Sequence, residues 1–252
     1  MIPYFTFTAF YIGPVPIQIW GLFVATGMLI GTVLAGRLAK KRGLNSELIW
    51  DLSFWALLAS FVGARLVHVL FYDFATYAAD PLEILRVWHG GYSSVGGMLA
   101  ASLVGLWLLK RAKVDVWKYA DTAIFGLPIG LGIGRIGCFL IHDHPGTLTD
   151  FALAVQYPSG EIRHDLGLYL SINGFLLFAV FLLLLKRGVK TGTFIIVFLI
   201  WYGLVRFGLD FLRATDGAIV DTRYASLTPA QYVSLGMIFF GAFLIYKKFW
   251  KK

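Results

Sequence analysis

The chain has 252 residues, of which 58% are hydrophobic and 14% are charged, with a formal net charge of +8 and a mean hydropathy of +0.75. A soluble domain carries about 25% charged residues, so this composition excludes an ordinary soluble protein. The apolar residues fall in blocks of about 20, the length of helix that crosses a hydrocarbon core of about 30 Å. We therefore expect an all-α polytopic membrane protein with a single transmembrane domain over 1–252.

Seven such blocks follow one another, and each predicts a transmembrane helix. They cover 15–36, 48–72, 95–109, 119–141, 166–185, 191–212 and 229–246. The third block is short. The fourth is rich in glycine, which lets membrane helices approach closely, so we expect it at the centre of the bundle. The longer connections, around 73–94, 142–165 and 213–228, are predicted to be loops on the outer face.

The basic residues predict the orientation of these helices. Most of them follow the first, third, fifth and seventh blocks: Arg37, Lys40, Lys41, Arg42, Lys110, Arg111, Lys113, Lys118, Lys186, Arg187, Lys190, Lys247, Lys248, Lys251 and Lys252. By the positive-inside rule these connections are cytoplasmic, so the N-terminus is predicted outside and the C-terminus in the cytoplasm. Topology thus explains the positive charge, and we expect no nucleic-acid partner.

The remaining basic residues are all arginines: Arg65, Arg86, Arg135, Arg163, Arg206, Arg213 and Arg223. Arginine stays charged when desolvated, and its planar fork binds phosphate or carboxylate through two hydrogen bonds. Arg65, Arg135 and Arg206 fall within predicted helices, where an ionisable side chain is costly and usually functional. Two interpretations are open: an anionic lipid headgroup, or ion pairs with aspartates of the predicted helices, namely Asp51, Asp121 and Asp210.

Two segments could carry chemistry. One opens the third helix with paired glycines, which allow close approach of a ligand to the backbone, although such pairs also serve helix packing. It reads Trp88-His89-Gly90-Gly91-Tyr92-Ser93-Ser94-Val95-Gly96-Gly97. The other, 134–146, joins Arg135 to His142, Asp143 and His144 at the outer end of the fourth helix. Histidines at this spacing could shuttle protons. Without further ligands apart from His164 they predict no metal site, and no cofactor is expected.

Two further residues, Arg213 and Cys138, can be explained by structural roles. Arg213 ends the sixth helix at the outer interface, where it could serve only as an anchor. Cys138 is the only cysteine, so the chain can form no internal disulfide, and apolar packing is its default role.

The chain resembles the prolipoprotein diacylglyceryl transferases, bacterial inner-membrane enzymes that begin lipoprotein maturation. The resemblance rests on Trp20-Gly21, Gly63-Ala64-Arg65-Leu66, Ala79-Asp80-Pro81, Gly90-Gly91-Tyr92-Ser93, Gly96-Gly97, Gly134-Arg135-Ile136-Gly137, Arg163-His164, Arg206-Phe207 and Phe211-Leu212-Arg213. It implies transfer of the diacylglyceryl group of phosphatidylglycerol to the lipobox cysteine of a prolipoprotein, forming a thioether and releasing glycerol phosphate. The implied partners are phosphatidylglycerol, the prolipoprotein signal peptide and the lipid bilayer, and the implied location is the bacterial cytoplasmic (inner) membrane.

The resemblance also implies roles for individual residues. Arg135 is expected to contact the phosphatidylglycerol headgroup with support from Arg213, and His142 and His144 complete the candidate catalytic residues. The candidate substrate-binding residues are Arg135, Gly90, Gly91, Ser93, Gly96, Gly134, Gly137, Asp143, Gly146, Arg206 and His164.

The chain departs from the family pattern at several polar positions. A family His is Val95 here, and two family Asn are Cys138 and Ile141. A family Tyr is Trp20, and two family Glu are Asp143 and Leu170. The arginines and glycines are retained, which fits an intact lipid site with a remodelled acceptor side.

These departures leave the general base and the acceptor open. We expect His142 or His144 to replace the missing base, ahead of His164 and His89. The alternative is that the arginines alone promote ionisation of the thiol. Two other functions are also open: transfer from the same lipid to a different acceptor, and lipid binding or transport by a catalytically inactive relative.

Overall fold

The computed structural model describes residues 1–86, 89–216 and 223–249. Most of the described residues are helical. The α-helices in these ranges are α1 Ile19–Lys41, α2 Ser46–Phe71, α3 Phe74–Ala79, α4 Ser94–Arg111, α5 Val116–Ala123, α6 Leu127–Ile141, α7 Leu166–Lys186, α8 Thr193–Leu209 and α9 Pro229–Phe249. Short 3₁₀ turns cover Pro81–Leu85, Ile124–Gly126 and Asp210–Leu212.

Within the described residues, six helical segments are long and apolar enough to cross a membrane. They are Ile19–Lys41, Ser46–Phe71, Val116–Ile141, Leu166–Lys186, Thr193–Leu212 and Pro229–Lys247. The chain therefore has the helices of a polytopic membrane protein. The segment predicted at 95–109 forms α4, which ends in Lys110 and Arg111 and is not one of the six.

The chain divides into two compact units. Unit 1 comprises Met1–Ala35 and Ala120–Lys252, and unit 2 comprises Gly36–Tyr119. That 1–252 behaves as one domain stays a prediction.

The core of unit 1 lies where α6 packs on α7. A side chain on Gly174 would meet Gly132 Cα at 2.6 Å, so the two helix backbones touch directly. The aromatic rings of Phe125, Phe181 and Phe194 contact one another in the same unit, and those of Phe125 and Phe181 are stacked. Since α6 carries the glycines of the fourth predicted helix, its expected close packing is confirmed.

Unit 1 also contains short strands that the sequence did not indicate. β1 Ile2–Pro3, β4 Pro145–Leu148, β5 Val155–Gln156 and β6 Ile162–Asp165 form a sheet in the order β1-β5-β6-β4, antiparallel except for the β1–β5 pair. β2 Ala9–Ile12 and β3 Val15–Gln18 form a separate antiparallel hairpin. β4, β5 and β6 lie within the predicted loop 142–165, so that connection is an ordered sheet between α6 and α7.

Unit 2 is built on the packing of α2 against α4. A side chain on Gly96 would meet Gly63 O at 2.5 Å, so these helices also approach through glycines. Side-chain caps begin both helices: Asn45 accepts a hydrogen bond from Glu47 N at 2.9 Å, and Ser93 Oγ accepts one from Gly96 N at 3.3 Å. Such caps satisfy amide groups that have no partner within the helix.

Candidate active site

Arg135 lies on α6, two turns before the end of the helix. Its side chain is half-buried. Nη1 lies 3.3 Å from His144 Nε2 and 3.7 Å from Cys138 Sγ. Among the described residues no carboxylate forms an ion pair with this guanidinium. One nitrogen of the Arg135 guanidinium therefore contacts an imidazole and a thiol.

The two histidines after α6 have different environments. His142 ends the helix in a left-handed conformation, with φ 50°, and its side chain is buried. Its Nδ1 lies 2.7 Å from Asp165 Oδ2, and the Tyr4 ring stacks on the imidazole at 4.8 Å. Because Asp165 also caps α7 by accepting from Leu168 N, this pair joins the end of α6 to the start of α7.

His144 instead faces Arg135, with Asp143 on its other side. Asp143 Oδ1 lies 2.6 Å from His144 Nδ1, an ion-pair distance without hydrogen-bond alignment. The ligand atoms of Cys138, Asp143 and His144 all lie within 4.8 Å of one another, a spacing that could hold a metal ion. The Arg135 guanidinium already contacts two of these three side chains. The positive charge beside these three side chains is therefore that of Arg135.

Two more arginines lie at the end of α8. Arg206 is buried, and its Nη2 forms an ion pair with Asp210 Oδ1 at 3.0 Å, which confirms the pairing that their spacing allowed. Arg213 Nη1 lies 3.9 Å from the same oxygen. The other Asp210 oxygen accepts from the Thr228 hydroxyl. One buried carboxylate thus serves two guanidiniums.

The arginine cluster, defined as Arg135, Arg206 and Arg213, carries an excess of positive charge. Arg135 and Arg213 are both near enough to repel the charge of Arg206. The buried Arg206 Nη1 has no hydrogen-bond partner among the described residues. A buried donor without a partner costs free energy, and an anion would supply the missing acceptor.

Three predicted glycines of unit 1, Gly134, Gly137 and Gly146, lie where neighbouring elements approach closely. Gly137 lets α6 pack on α1, because a side chain there would meet Trp20 Cα at 3.0 Å, and Gly134 faces Val24 of the same helix. Gly146 passes close to the backbone after α8, since a Cβ there would meet Leu212 O at 2.5 Å.

His164 lies on β6 of the four-stranded sheet. Its Nδ1 lies 2.9 Å from the hydroxyl of Tyr169. Burial lowers the pKa of this imidazole. Within the part of the chain that the structure describes, His164 contacts Tyr169 and Phe151 and forms no hydrogen bond or ion pair with the arginine cluster.

In unit 2, Arg65 organises the glycine segment that precedes α4. Its guanidinium is buried and donates to five backbone carbonyls, those of Glu83, Ile84, Arg86, Gly90 and Gly91. The cation also lies over the rings of Tyr77 and Tyr92, at 5.0 and 5.8 Å. The sequence analysis considered an aspartate as the partner of Arg65, but its hydrogen-bond partners are these backbone carbonyl groups.

The predicted glycine pair needs its glycines for conformation. Gly90 and Gly91 have φ values of 81° and 78°, which L side chains rarely adopt. Ser93 caps α4, and Val95 is half-buried in the first turn of that helix. His89 lies apart on this segment, with Nδ1 2.6 Å from Glu83 Oε1.

Comparison with known proteins identifies the family. A family model described as prolipoprotein diacylglyceryl transferase matches residues 7–247. The chain belongs to the prolipoprotein diacylglyceryl transferase family.

Relatives from distant bacteria match over nearly the whole chain. The phosphatidylglycerol–prolipoprotein diacylglyceryl transferase of Aeromonas hydrophila is 32% identical over 243 residues, which cover 94% of this chain and 88% of the relative. The enzyme of the same name from Staphylococcus carnosus is 32% identical over 253 residues, covering 96% and 90%. That of Pseudomonas savastanoi is 34% identical over 243 residues, covering 93% and 90%.

Two of the positions at which the sequence analysis expects a departure from the family pattern lie at the arginine cluster. Cys138 and Asp143 contact Arg135 and His144 respectively. A third, Val95, lies in unit 2 at the start of α4. In this transferase family member, Arg135 therefore contacts one of these expected departures directly, and His144 contacts another.

Proposed function

We propose that the protein transfers the diacylglyceryl group of phosphatidylglycerol to the lipobox cysteine of a prolipoprotein. The observation that carries the proposal is the arginine cluster, an excess of positive charge with an unpartnered buried donor, in a chain of this family. Arg135, Arg206 and Arg213 would bind the phosphate of the lipid headgroup, with Arg135 as the principal contact.

The geometry of Arg135 suits this role. Its contacts with His144 and Cys138 both use Nη1. Among the described residues Nη2 and Nε form no hydrogen bond, so they can donate two parallel hydrogen bonds to a phosphate, the arrangement that the guanidinium fork favours. Arg206 Nη1 would supply a further donor.

The reaction is a displacement at carbon. The thiolate sulfur attacks the glycerol carbon of the diacylglyceryl group that bears the phosphate ester, and a carbon–sulfur bond forms as the carbon–oxygen bond breaks. The leaving oxygen takes the electron pair and departs as glycerol phosphate. Positioned cations stabilise the charge that develops on this group, which is the work assigned to the arginine cluster.

His144 is the proposed general base, because it is the histidine in contact with Arg135. A thiol must lose its proton to become the nucleophile. As Nη2 and Nε of Arg135 bind the phosphate, Nη1 would move off His144 Nε2. That nitrogen would then accept the thiol proton, and Asp143 would stabilise the resulting imidazolium. His142 is occupied by Asp165, so we assign it the positioning of the chain between α6 and α7.

The proposed topology has seven spans in the bacterial inner membrane. In addition to the six long helical segments, α4 would cross the membrane as the third span in chain order. Its apolar sequence and its packing on α2 support this assignment. The N-terminus would lie outside and the C-terminus in the cytoplasm, as the positive charge between the helices indicates. The arginine cluster, at the ends of α6 and α8 that precede outer connections, would then face the outer leaflet.

The decisive experiment measures both products. The purified protein is supplied with phosphatidylglycerol vesicles and a prolipoprotein peptide with its lipobox cysteine, and glycerol phosphate and thioether-linked peptide are quantified. Equal amounts of the two products are expected. Release of glycerol phosphate only when an acceptor other than the prolipoprotein peptide is present would indicate transfer to that other acceptor. A protein that binds the lipid, forms neither product and fails to complement a strain lacking its own transferase would be an inactive lipid-binding relative.

A further inference from the structure

Arg163 and Asp216, here called the outer clamp, join the segments that follow α6 and α8. Arg163 Nη1 and Nη2 donate to the two oxygens of Asp216 at 2.9 and 2.7 Å, a bidentate ion pair. Arg163 Nη1 also donates to Gly146 O at 3.1 Å. The Arg163 side chain is largely buried although Asp216 is half exposed. One guanidinium therefore holds β4 and the chain beyond Arg213 together.

Backbone contacts continue this connection to Arg213. Arg213 and Gly146 form an antiparallel bridge, and Ala214 N donates to Pro145 O at 3.3 Å. Gly146 has no room for a side chain because Leu212 O passes beside it. The backbone of Arg213 is thus fixed against β4, directly beneath the clamp.

We propose that the outer clamp is a positioning device that holds Arg213 within the arginine cluster. Arg163 and Asp216 act on the reaction through Arg213, and they contact neither the phosphate nor the thiol. This inference rests on the role proposed above for Arg213 in headgroup binding.

The clamp is built to persist over the working pH range. The hydrogen bond from Arg163 lowers the pKa of Asp216, and the same contact raises the pKa of Arg163. The unperturbed pKa of an aspartate is about 3.9. With its pKa lowered, Asp216 stays ionised at every pH above that value, and the ion pair is lost only as the pH falls below it. Between about pH 5 and 9 the clamp is constant, so its loss should lower activity equally at every pH.

The test compares Asp216→Asn and Arg163→Gln with a matched control, Glu161→Gln. Glu161 also accepts from Arg163, at 2.9 Å, but forms no hydrogen bond or ion pair with the described residues that follow α8. Each clamp variant should lower kcat/KM for phosphatidylglycerol by about tenfold, because a misplacement of about 1 Å can cost up to a hundredfold. The control should stay within about twofold of wild type, because Glu161 lies two residues from Arg163 on the same segment and its loss leaves the Arg163–Asp216 pair in place.

A double-mutant cycle separates positioning from general support of the fold. Adding Asp216→Asn to Arg213→Lys should cause no further loss, because the clamp acts only through Arg213. Losses that multiply would overturn the inference, since they would mean that the clamp supports the fold independently of Arg213. If a single variant fails to insert, the exchanged pair Arg163→Asp with Asp216→Arg should restore insertion and part of the activity; no recovery would count against the clamp.

The outcomes distinguish the inference from the proposed function. If Arg213→Lys lowers activity while Asp216→Asn and Arg163→Gln keep wild-type activity, the clamp proposal alone is overturned. Wild-type turnover by Arg213→Lys would overturn the role of Arg213 and the clamp with it. Parallel loss in the clamp variants and Arg213→Lys, with an unchanged pH profile, is the expected result.

Discussion

Replacing Arg135 with lysine tests the headgroup site most directly. The substitution keeps the positive charge on α6 but removes the planar fork. In the structure Nη1 contacts His144 and Cys138, which leaves Nη2 and Nε for the phosphate. A lysine ammonium at this position lacks the planar fork, so it can reproduce at most one of those two parallel phosphate hydrogen bonds. One charge-assisted donor at the leaving group is therefore lost.

The magnitude follows from that lost donor. Removing one preorganised donor from a site of developing charge lowers kcat by about 100- to 1000-fold, or roughly 3–4 kcal/mol of transition-state stabilisation. We expect Arg135→Lys to show this loss in kcat with a smaller change in KM, because the charge that attracts the lipid is kept. Helix α6 should still form, since arginine and lysine have similar helix propensities.

The assay follows release of glycerol phosphate from phosphatidylglycerol vesicles by the purified, membrane-inserted variants. Arg187→Lys is the matched control, because Arg187 is an exposed arginine at the end of α7. Turnover of Arg135→Lys within about threefold of wild type would refute the phosphate role, as that is far less than one lost donor should cost. An equal loss in Arg187→Lys would trace the effect to lysine substitution in general.

Four further predictions concern topology and the histidines. Reporter fusions after Lys252 and near Thr147 should report opposite sides of the membrane, and the same side for both would contradict the proposed orientation. His144→Gln should lower the rate and remove the acidic limb of the pH–rate profile; an unchanged profile would exclude His144 as the base. His142→Gln should lower the free energy of unfolding by about 1–3 kcal/mol, because Asp165 loses a buried partner, and a melting curve measures this. Burial lowers the pKa of His164, so stability is lost as pH falls below about 6.5; His164→Gln should flatten melting temperature against pH there.

The helices were predictable because membrane burial imposes length and composition on a sequence. The six spanning segments coincide with predicted blocks, and the glycine-rich block is the closely packed α6. The strands β4, β5 and β6 were not predictable, since each has only two to four residues and is held by tertiary contacts such as the Arg163 pair. Short strands carry too little periodic pattern to register in a sequence.

The site was predictable in its residue types and only partly in its partners. Spacing on one helix face indicated the Arg206–Asp210 pair, because residues four apart are neighbours. Nothing local in the sequence distinguishes His142 from His144. The left-handed conformation of His142 turns the chain there, so one ring enters a buried pair with Asp165 and the other reaches Arg135.

The carbonyl partners of Arg65 have a consequence for how the protein is made. These carbonyls belong to residues 83–91, which are synthesised after the whole of α2. When α2 enters the membrane, Arg65 therefore has none of its eventual acceptors, and an unshielded arginine costs up to about 3 kcal/mol at the centre of a spanning helix and less near its ends. The hydrophobic length of α2 must offset this cost during insertion. Ribosome-stalled chains ending before residue 83 should accordingly retain α2 less firmly in the membrane than chains that extend beyond residue 91.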